Sequence, residues 1–376
     1  MVKIRDRLDA VGDDALDVLV AICALPPPVV FPPHPLPPRP PHTHPQDPPR
    51  DPDPDEIDDL ALFRRATLAA DAGSGGGDGG AVTASLRRRP AAQPKVAFLF
   101  LTNSDLSFAP LWERFFRGHE RLFNVYVHAD PSSRLLLAPT PSFRRRFIPA
   151  KATQRASPTL ISAARRLLAA ALLDDPANAF FALVSQHCVP LRPFPSLYRA
   201  LLSDPPAAAA GRRRHHRSFI EILSGEPGLW DRYVARGDAV MLPEVPFQRF
   251  RVGSQFFVLA RRHAVLVVRD RRLWKKFRLP CLRSMKDSCY PEEHYFPTLL
   301  DMQDPQGCTR YTLTRVNWTD SVGGHPHTYR PWEISGDLIR ELRRSNSTYS
   351  YMFARKFSPD CLDPLLAIAD SVIFRD

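Results

Sequence analysis

An α/β domain with a mostly parallel central sheet is the fold class that this sequence predicts. Continuous apolar runs of strand length, such as KVAFLFLT at 95–102, are typical of strands buried on both faces of a sheet. Helical patterns separate these runs, and this alternation favours parallel strands joined by right-handed crossovers. An apolar content of 44% in 376 residues is sufficient for a sizeable core.

The individual elements follow in order along the chain. Strands are predicted at 95–102, 123–130, 179–185 and 254–260. Helices are predicted at 108–116, 157–175, 261–277 and, as a short helix or turn, 292–300. Ser157 supplies the N-cap of the second helix and Pro158 stands in its first turn.

Polar residues follow three of the predicted strands. They are Thr102 and Asn103, then His128 to Asp130, then Ser185 to Cys188. Because parallel sheets bind ligands at the carboxyl ends of their strands, these positions are candidate ligand contacts. Polar residues end most strands, so this pattern alone does not identify a ligand.

The front of the chain differs in composition from the rest. Many of the forty prolines lie there, and residues 32–92 are rich in Pro, then Asp, then Gly, with few aromatic residues. Such a segment buries too little apolar area to offset the entropy of ordering. The sequence predicts a disordered stem over 32–92 and a folded catalytic domain over 93–376.

Residues 1–31 combine a basic start with an apolar stretch, ALDVLVAICALPPPVVF, that is interrupted by Asp17 and broken by prolines. A membrane span needs about 20 apolar residues, so hydropathy is equally compatible with a degenerate signal-anchor and a buried or fraying helix.

The formal net charge of +11 suits an acidic partner such as nucleic acid, anionic lipid or a nucleotide diphosphate. The arginine clusters carry no recognisable nucleic-acid-binding motif, which favours solvated loops. None of the six cysteines forms a zinc-type array. Cys281, Cys289 and Cys308 are compatible with a disulfide in an oxidising lumen, but sequence does not give the pairing.

Nine segments in order carry a family resemblance. They are KVAFLFLT, FNVYVHADPS, ASPTLISAARRLLAAALLDD, FFALVSQHCVPLRPF, SFIEI, RVGSQFFVLARRHA, CYPEEHYFPTLL, VNWTDSVGGHPHTYRPWEI and FARKFSPD. Together they resemble the plant family related to the core-2/I-branching β-1,6-N-acetylglucosaminyltransferases, over nearly three quarters of the chain.

The resemblance implies a type II Golgi membrane protein with a lumenal GT-A-like domain. It also implies inverting transfer from a UDP-sugar, GlcNAc or glucuronic acid first, to a hydroxyl of a glycan or glycoprotein acceptor. No cofactor and no divalent metal are expected, since the place of the usual Asp-x-Asp reads His128-Ala129-Asp130. Under this interpretation the N-terminal segment is the membrane anchor, and nucleic acid is not a partner.

Inverting transfer needs a carboxylate that accepts the proton of the attacking hydroxyl. By resemblance, Glu293 in CYPEEHYFPTLL is this base and Glu292 is an acidic neighbour on the acceptor side. The alternative is that both merely charge the start of a helix.

The departing diphosphate needs positive charge, which Lys and Arg supply through charge-assisted hydrogen bonds. By resemblance, Lys356 contacts phosphate, with Arg355 beside it; the second cation is His327 or Arg330. The alternative for Lys356 and Arg355 is a solvated pair. Asp130 matches the residue that contacts the donor nucleoside, or is a loop aspartate before Pro131.

On the acceptor side, Arg232 matches a basic position, and Trp318 is either a sugar platform or part of the core. Asn317 and Asn346 begin N-glycosylation sequons. Two rival functions stay open: a catalytically silent Golgi glycan-binding protein of the same fold, and a basic nucleic-acid-binding protein suggested by charge alone.

Overall fold

The computed structural model describes residues 54–74, 93–202, 216–319, 321 and 324–375. The predicted tail and anchor at 1–31, and the stem at 32–53 and 75–92, lie outside the described residues. No helix in the described ranges is long and apolar enough to cross a membrane.

The central sheet confirms the predicted fold class. It has the order β2 (Phe123–Ala129), β1 (Lys95–Thr102), β3 (Asn178–Ser185) and β5 (Val258–Ala260). The first three strands are parallel, and β5 runs antiparallel at the edge. Alternate residues of β1 enter separate cores: Phe98 and Phe100 on one face, Leu99 and Leu101 on the other. Burial on both faces explains the unbroken apolar run.

Helices cover both faces of this sheet. They are α2 (Ala109–Phe116), α3 (Pro158–Asp174), α4 (Phe194–Leu202), α5 (Leu229–Val234), α6 (Arg261–Arg269), α7 (Trp274–Phe277), α8 (Lys286–Cys289), α9 (Tyr295–Gln303), α10 (Gly336–Arg343) and α11 (Leu362–Ala367). The predicted cap of α3 is confirmed, since Ser157 Oγ accepts from Thr159 N.

One predicted helix is wrong in length. The pattern at 261–277 predicts a single helix, but α6 ends at Arg269 and α7 begins at Trp274. The carboxylate of Asp270 accepts backbone N–H groups from Arg272, Leu273 and Trp274. A side chain that satisfies these donors starts a new helix, and this local interaction overrides the apolar periodicity.

A second, smaller sheet was not predicted. It consists of β4 (Val189–Pro190), β7 (Phe353–Arg355) and β6 (Thr314–Val316), in that order. Each strand is only two or three residues long, too short for a readable pattern. This sheet brings the C-terminal FARK segment to the end of β3.

The structure corrects the predicted stem over 54–74, where α1 (Pro54–Ser74) packs on α3 and α6. Phe63, Ala66 and Ala70 are buried along one face of α1. Asp59 forms a bidentate pair with Arg166 at 2.6 and 2.7 Å. The surrounding Pro- and Gly-rich composition hides this narrow apolar stripe.

Replacing Asp59 tests whether α1 stabilises the domain. The Arg166 side chain is only 8% exposed, so Asp59→Asn leaves a buried charge without its partner. We expect a loss on the order of 3 kcal/mol in the free energy of unfolding, measured by denaturant titration. Asp58→Asn is the matched control, because the Asp58 side chain is 80% exposed. Equal stability of the two variants would contradict a supporting role for α1.

Candidate active site

The carboxyl ends of β1 and β3 meet as the sequence predicts. Gln186 Nε2 donates to Asn103 Oδ1 at 2.7 Å, which joins the residues that follow the two strands. Phe357 N donates to His187 O at 3.2 Å, and His187 Nδ1 lies 3.1 Å from Phe357 O. These bonds fix the segment after β7 to the exit of β3, so Lys356 lies at the ligand-binding edge of the sheet.

Three cationic side chains gather at this edge: Lys356, Arg355 and Arg155. Burial lowers the pKa of Lys356, and the charges of Arg355 and Arg155 lower it further. Arg355 stacks on Phe256, with its guanidinium carbon 4.2 Å from the ring centre. Within the described ranges, no carboxylate oxygen comes within 4 Å of a nitrogen of these three side chains. Their mutual repulsion favours binding of an anion.

Arg155 is held by two neutral acceptors. Its Nη1 lies 2.6 Å from His325 Nε2, and its Nη2 donates to Gly324 O at 3.0 Å. Because arginine only donates, the His325 Nε2 atom accepts and the ring is neutral. Burial lowers the pKa of His325, as do Arg155, Lys356 and Arg355. Neither residue was among the predicted site residues.

The two predicted second cations are engaged elsewhere. His327 Nε2 lies 2.7 Å from Glu333 Oε1. Arg330 donates its backbone N–H to Glu333 Oε2 at 2.7 Å and its Nη1 to Ser358 Oγ at 3.3 Å. Glu333 therefore orders the turn that carries both residues, and their phosphate contact stays a prediction.

Asp130 lies at the exit of β2 with its carboxylate occupied. Oδ1 accepts from the backbone N and Oγ of Ser132, and Oδ2 accepts from the backbone N and Oγ1 of Thr153. Burial raises the pKa of Asp130, but these four hydrogen bonds outweigh it and lower the pKa to about 2. The carboxylate connects two loops here, and its nucleoside contact stays a prediction.

Glu293 ends a 3₁₀ turn, Pro291–Glu293, that leads into α9. Its Oε2 accepts from Arg232 Nη1 at 2.9 Å. In the part of the chain that the structure describes, its Oε1 has no hydrogen-bond partner. This oxygen is available to take a proton, and Arg232, predicted on the acceptor side, lies directly against the predicted base.

His294 positions Arg232. Its Nδ1 lies 2.8 Å from Arg251 O, so that nitrogen carries the proton and donates to the carbonyl. Its Nε2 therefore accepts from Arg232 Nη1, at 3.4 Å. Burial lowers the pKa of His294 to about 3, and Arg232 acts in the same direction. A neutral imidazole thus fixes the arginine that contacts Glu293. His294 was not among the predicted site residues, although it follows Glu293 directly.

Glu292 occupies a different environment from Glu293. It is buried, Oε1 accepts from Ala156 N at 3.2 Å, and Oε2 has no partner among the described residues. Burial raises the pKa of Glu292 to about 7, with help from the charge of Glu293. The buried Arg236, whose three side-chain nitrogens also lack partners in the described ranges, attracts it. This placement favours an internal role for Glu292, and its acceptor contact stays a prediction.

The remaining predicted residues are described by their exposure and local contacts. Trp318 is half-buried after β6, which leaves both of its interpretations open. Asn317 is half-buried and its Oδ1 accepts from Thr319 N, whereas Asn346 is exposed. Cys281 pairs with Cys289, and Cys308 is free and buried. Among the described residues, no group of three or more His, Cys, Asp or Glu side chains is arranged to hold a metal ion.

The mostly parallel sheet, with cationic side chains and a partly free carboxylate at its strand ends, is consistent with a glycosyltransferase domain of GT-A-like fold. The family model described as Core-2/I-Branching enzyme matches residues 96–343. The chain belongs to this family, and it is a glycosyltransferase. It is similar to Glycosyltransferase BC10 of Oryza sativa subsp. japonica, with 28% identity over 317 residues, which cover 72% of this chain and 75% of the relative.

The raised pKa of Glu292 gives a pH dependence of stability. A carboxyl whose folded pKa exceeds its unfolded pKa stabilises the fold fully below about 4.5, and this contribution is lost as pH rises through about 7. Between pH 4.5 and 8, we expect the free energy of unfolding of the native protein to fall by up to about 3 kcal/mol relative to Glu292→Gln.

Denaturant titrations across this pH range measure the difference. Glu341→Gln, at an exposed position of α10, controls for the loss of one negative charge. If the difference in free energy of unfolding between Glu292→Gln and the native protein does not change with pH, Glu292 has the same pKa in the folded and unfolded chains, and the prediction is wrong.

Proposed function

We propose that the protein transfers a sugar from a UDP-sugar, GlcNAc or glucuronic acid first, to a hydroxyl of a glycan acceptor, with inversion at the anomeric carbon. The observation that supports this proposal is the gathering of Lys356, Arg355 and Arg155 without an acid partner in the described ranges. A diphosphate supplies the missing negative charge through charge-assisted hydrogen bonds.

In the proposed reaction, Glu293 Oε1 takes the proton of the acceptor hydroxyl. The hydroxyl oxygen bonds to the anomeric carbon as the bond from that carbon to the diphosphate oxygen breaks. UDP leaves with both electrons of that bond, and Lys356 and Arg355 stabilise its charge. Attack from the face opposite the leaving group converts an α-linked donor into a β-linked product. The charge of Glu293 raises the pKa of Arg355, so base and cations lie within electrostatic reach.

We propose that this reaction needs no divalent metal. Cationic side chains already lie at the edge where the leaving group would bind, and they can supply the positive charge that a metal ion would otherwise provide. Asp130, the acid at the exit of β2, has both oxygens engaged by Ser132 and Thr153. Activity that EDTA abolishes and manganese restores would overturn this part of the proposal.

We also propose a lumenal Golgi location. The Cys281–Cys289 disulfide fits an oxidising compartment, and the exposed Asn346 is accessible for glycosylation. Co-localisation of the full chain with a Golgi marker tests this proposal, and a cytosolic distribution would overturn it.

Lys356→Ala tests the anion site. A charge-assisted contact to phosphate is worth roughly 1.5–3 kcal/mol, so UDP affinity should fall by one to two decades. Calorimetric titration of UDP measures the change, and the melting temperature without ligand monitors folding. Unchanged affinity in a folded variant would favour the solvated-pair interpretation of Lys356.

Glu293→Gln tests the base. Glutamine keeps an oxygen for Arg232 but cannot accept a proton, so the loss should fall on kcat rather than on donor binding. We expect a loss on the order of 100-fold in kcat, measured as UDP release in the presence of acceptor. Glu292→Gln is the comparison, because it neutralises the adjacent carboxylate. A larger loss in Glu292→Gln than in Glu293→Gln would reverse the assignment.

A further inference from the structure

Arg155 lies in a loop whose backbone is fixed on both sides. Thr153 is bound to Asp130 through its backbone N and Oγ1, and Ala156 N donates to Glu292. Ala156 has a φ of 56°, in the left-handed region that disfavours residues with a Cβ. Neighbouring contacts keep this turn, and it directs Arg155 towards the segment at 324–325.

The Arg155 guanidinium has N–H donors that its two acceptors do not use. It has five N–H groups, of which His325 and Gly324 take two. Both acceptors are neutral, so they orient the guanidinium without compensating its charge. The planar fork therefore retains N–H groups and a full positive charge for an anionic ligand.

Arg155 acts electrostatically on both Lys356 and the carboxylate turn, to which its neighbour Ala156 is hydrogen-bonded. Its charge lowers the pKa of Lys356, after burial and Arg355, and it also opposes the rise in the pKa of Glu292. The leaving group of an in-line displacement lies between the base and the cations that stabilise it. Arg155 therefore lies within electrostatic range of Lys356 and of Glu292, the residue next to the proposed base.

We propose that Arg155, from the loop before α3, binds the diphosphate of the donor together with Lys356. This inference rests on the proposed function and gives the role predicted for His327 or Arg330 to a different element. His327 is already paired with Glu333, and Arg330 donates to Ser358 Oγ on the turn that Glu333 orders. Arg155 instead lies in the loop whose next residue, Ala156, bonds to Glu292 in the carboxylate turn. The diphosphate then joins the loop at 153–157 to the segment after β7.

The test compares ligands with and without phosphate. Calorimetric titrations of UDP, UMP and uridine are made with the full chain and with Arg155→Ala, Lys356→Ala and Arg330→Ala. For Arg155→Ala we expect about 10–100-fold weaker UDP binding, unchanged uridine binding and an unchanged melting temperature without ligand. Arg155→Lys should recover part of the loss, and Arg330→Ala, which removes a nearby arginine, should change UDP affinity less than about twofold.

Several outcomes overturn the proposal. Native UDP affinity in Arg155→Ala, with weaker binding in Lys356→Ala, rejects Arg155 while the proposed function stands. A parallel loss of uridine affinity shows that Arg155 supports the loop rather than the phosphate. A raised KM for acceptor with native UDP binding assigns Arg155 to an anionic acceptor instead. If the native protein binds no UDP, the proposed function fails and this inference fails with it.

Discussion

Uncompensated positive charge at the carboxyl end of the central sheet is the constraint on which the rest of the site depends. Lys356, Arg355 and Arg155 come from two segments far apart in the chain, and their repulsion opposes folding. Backbone pairing fixes Arg355 and Lys356, because Phe357 bonds to His187 at the end of β3 and Tyr329 N bonds to Lys356 O. Side-chain hydrogen bonds to Gly324 and His325 hold Arg155. Stability of the sheet therefore offsets the repulsion and leaves the charge for a ligand.

The turn that carries the carboxylates is fixed just as firmly, by groups that do not react. The Cys281–Cys289 disulfide restrains the backbone immediately before Tyr290, where the turn begins. Gly253 N donates to Glu293 O at 2.9 Å, and His294 holds Arg232 against the Glu293 side chain. Side chains that their neighbours already hold in place lose little conformational entropy when substrate binds. The same groups free in water would have to be oriented first, so the protein site reacts faster.

Much of the fold could be predicted because strands buried on both faces appear in the sequence as unbroken apolar runs. The apolar run of β1 and the Ser-Pro start of α3 each encode their element locally. The helix α1 could not be recognised, because its buried stripe rests on Phe63 and two alanines within a polar composition. The contacts that stabilise it, such as Asp59 with Arg166, join residues 107 positions apart.

The site was predictable only in part, and for the same physical reason. Lys356 and Glu293 lie in segments that resemble the family. Arg155 and His325 are 170 positions apart, and their hydrogen bond can be recognised only in the folded structure. His327 and Arg330, which are close to Lys356 in sequence, are instead drawn into contacts with Glu333 and Ser358. Proximity along the chain is therefore a poor guide to which cations reach one ligand.

The adjacent carboxylates show how local geometry separates two identical side chains. Successive residues of a 3₁₀ turn are about 120° apart around its axis, so Glu292 and Glu293 cannot face the same surroundings. Glu292 is directed into the protein, where burial favours its protonated form, and Glu293 is directed towards Arg232, which donates to its Oε2. Because its pKa is raised to about 7, a large fraction of Glu292 is protonated near neutral pH, and that fraction adds no second negative charge beside the base or the approaching diphosphate.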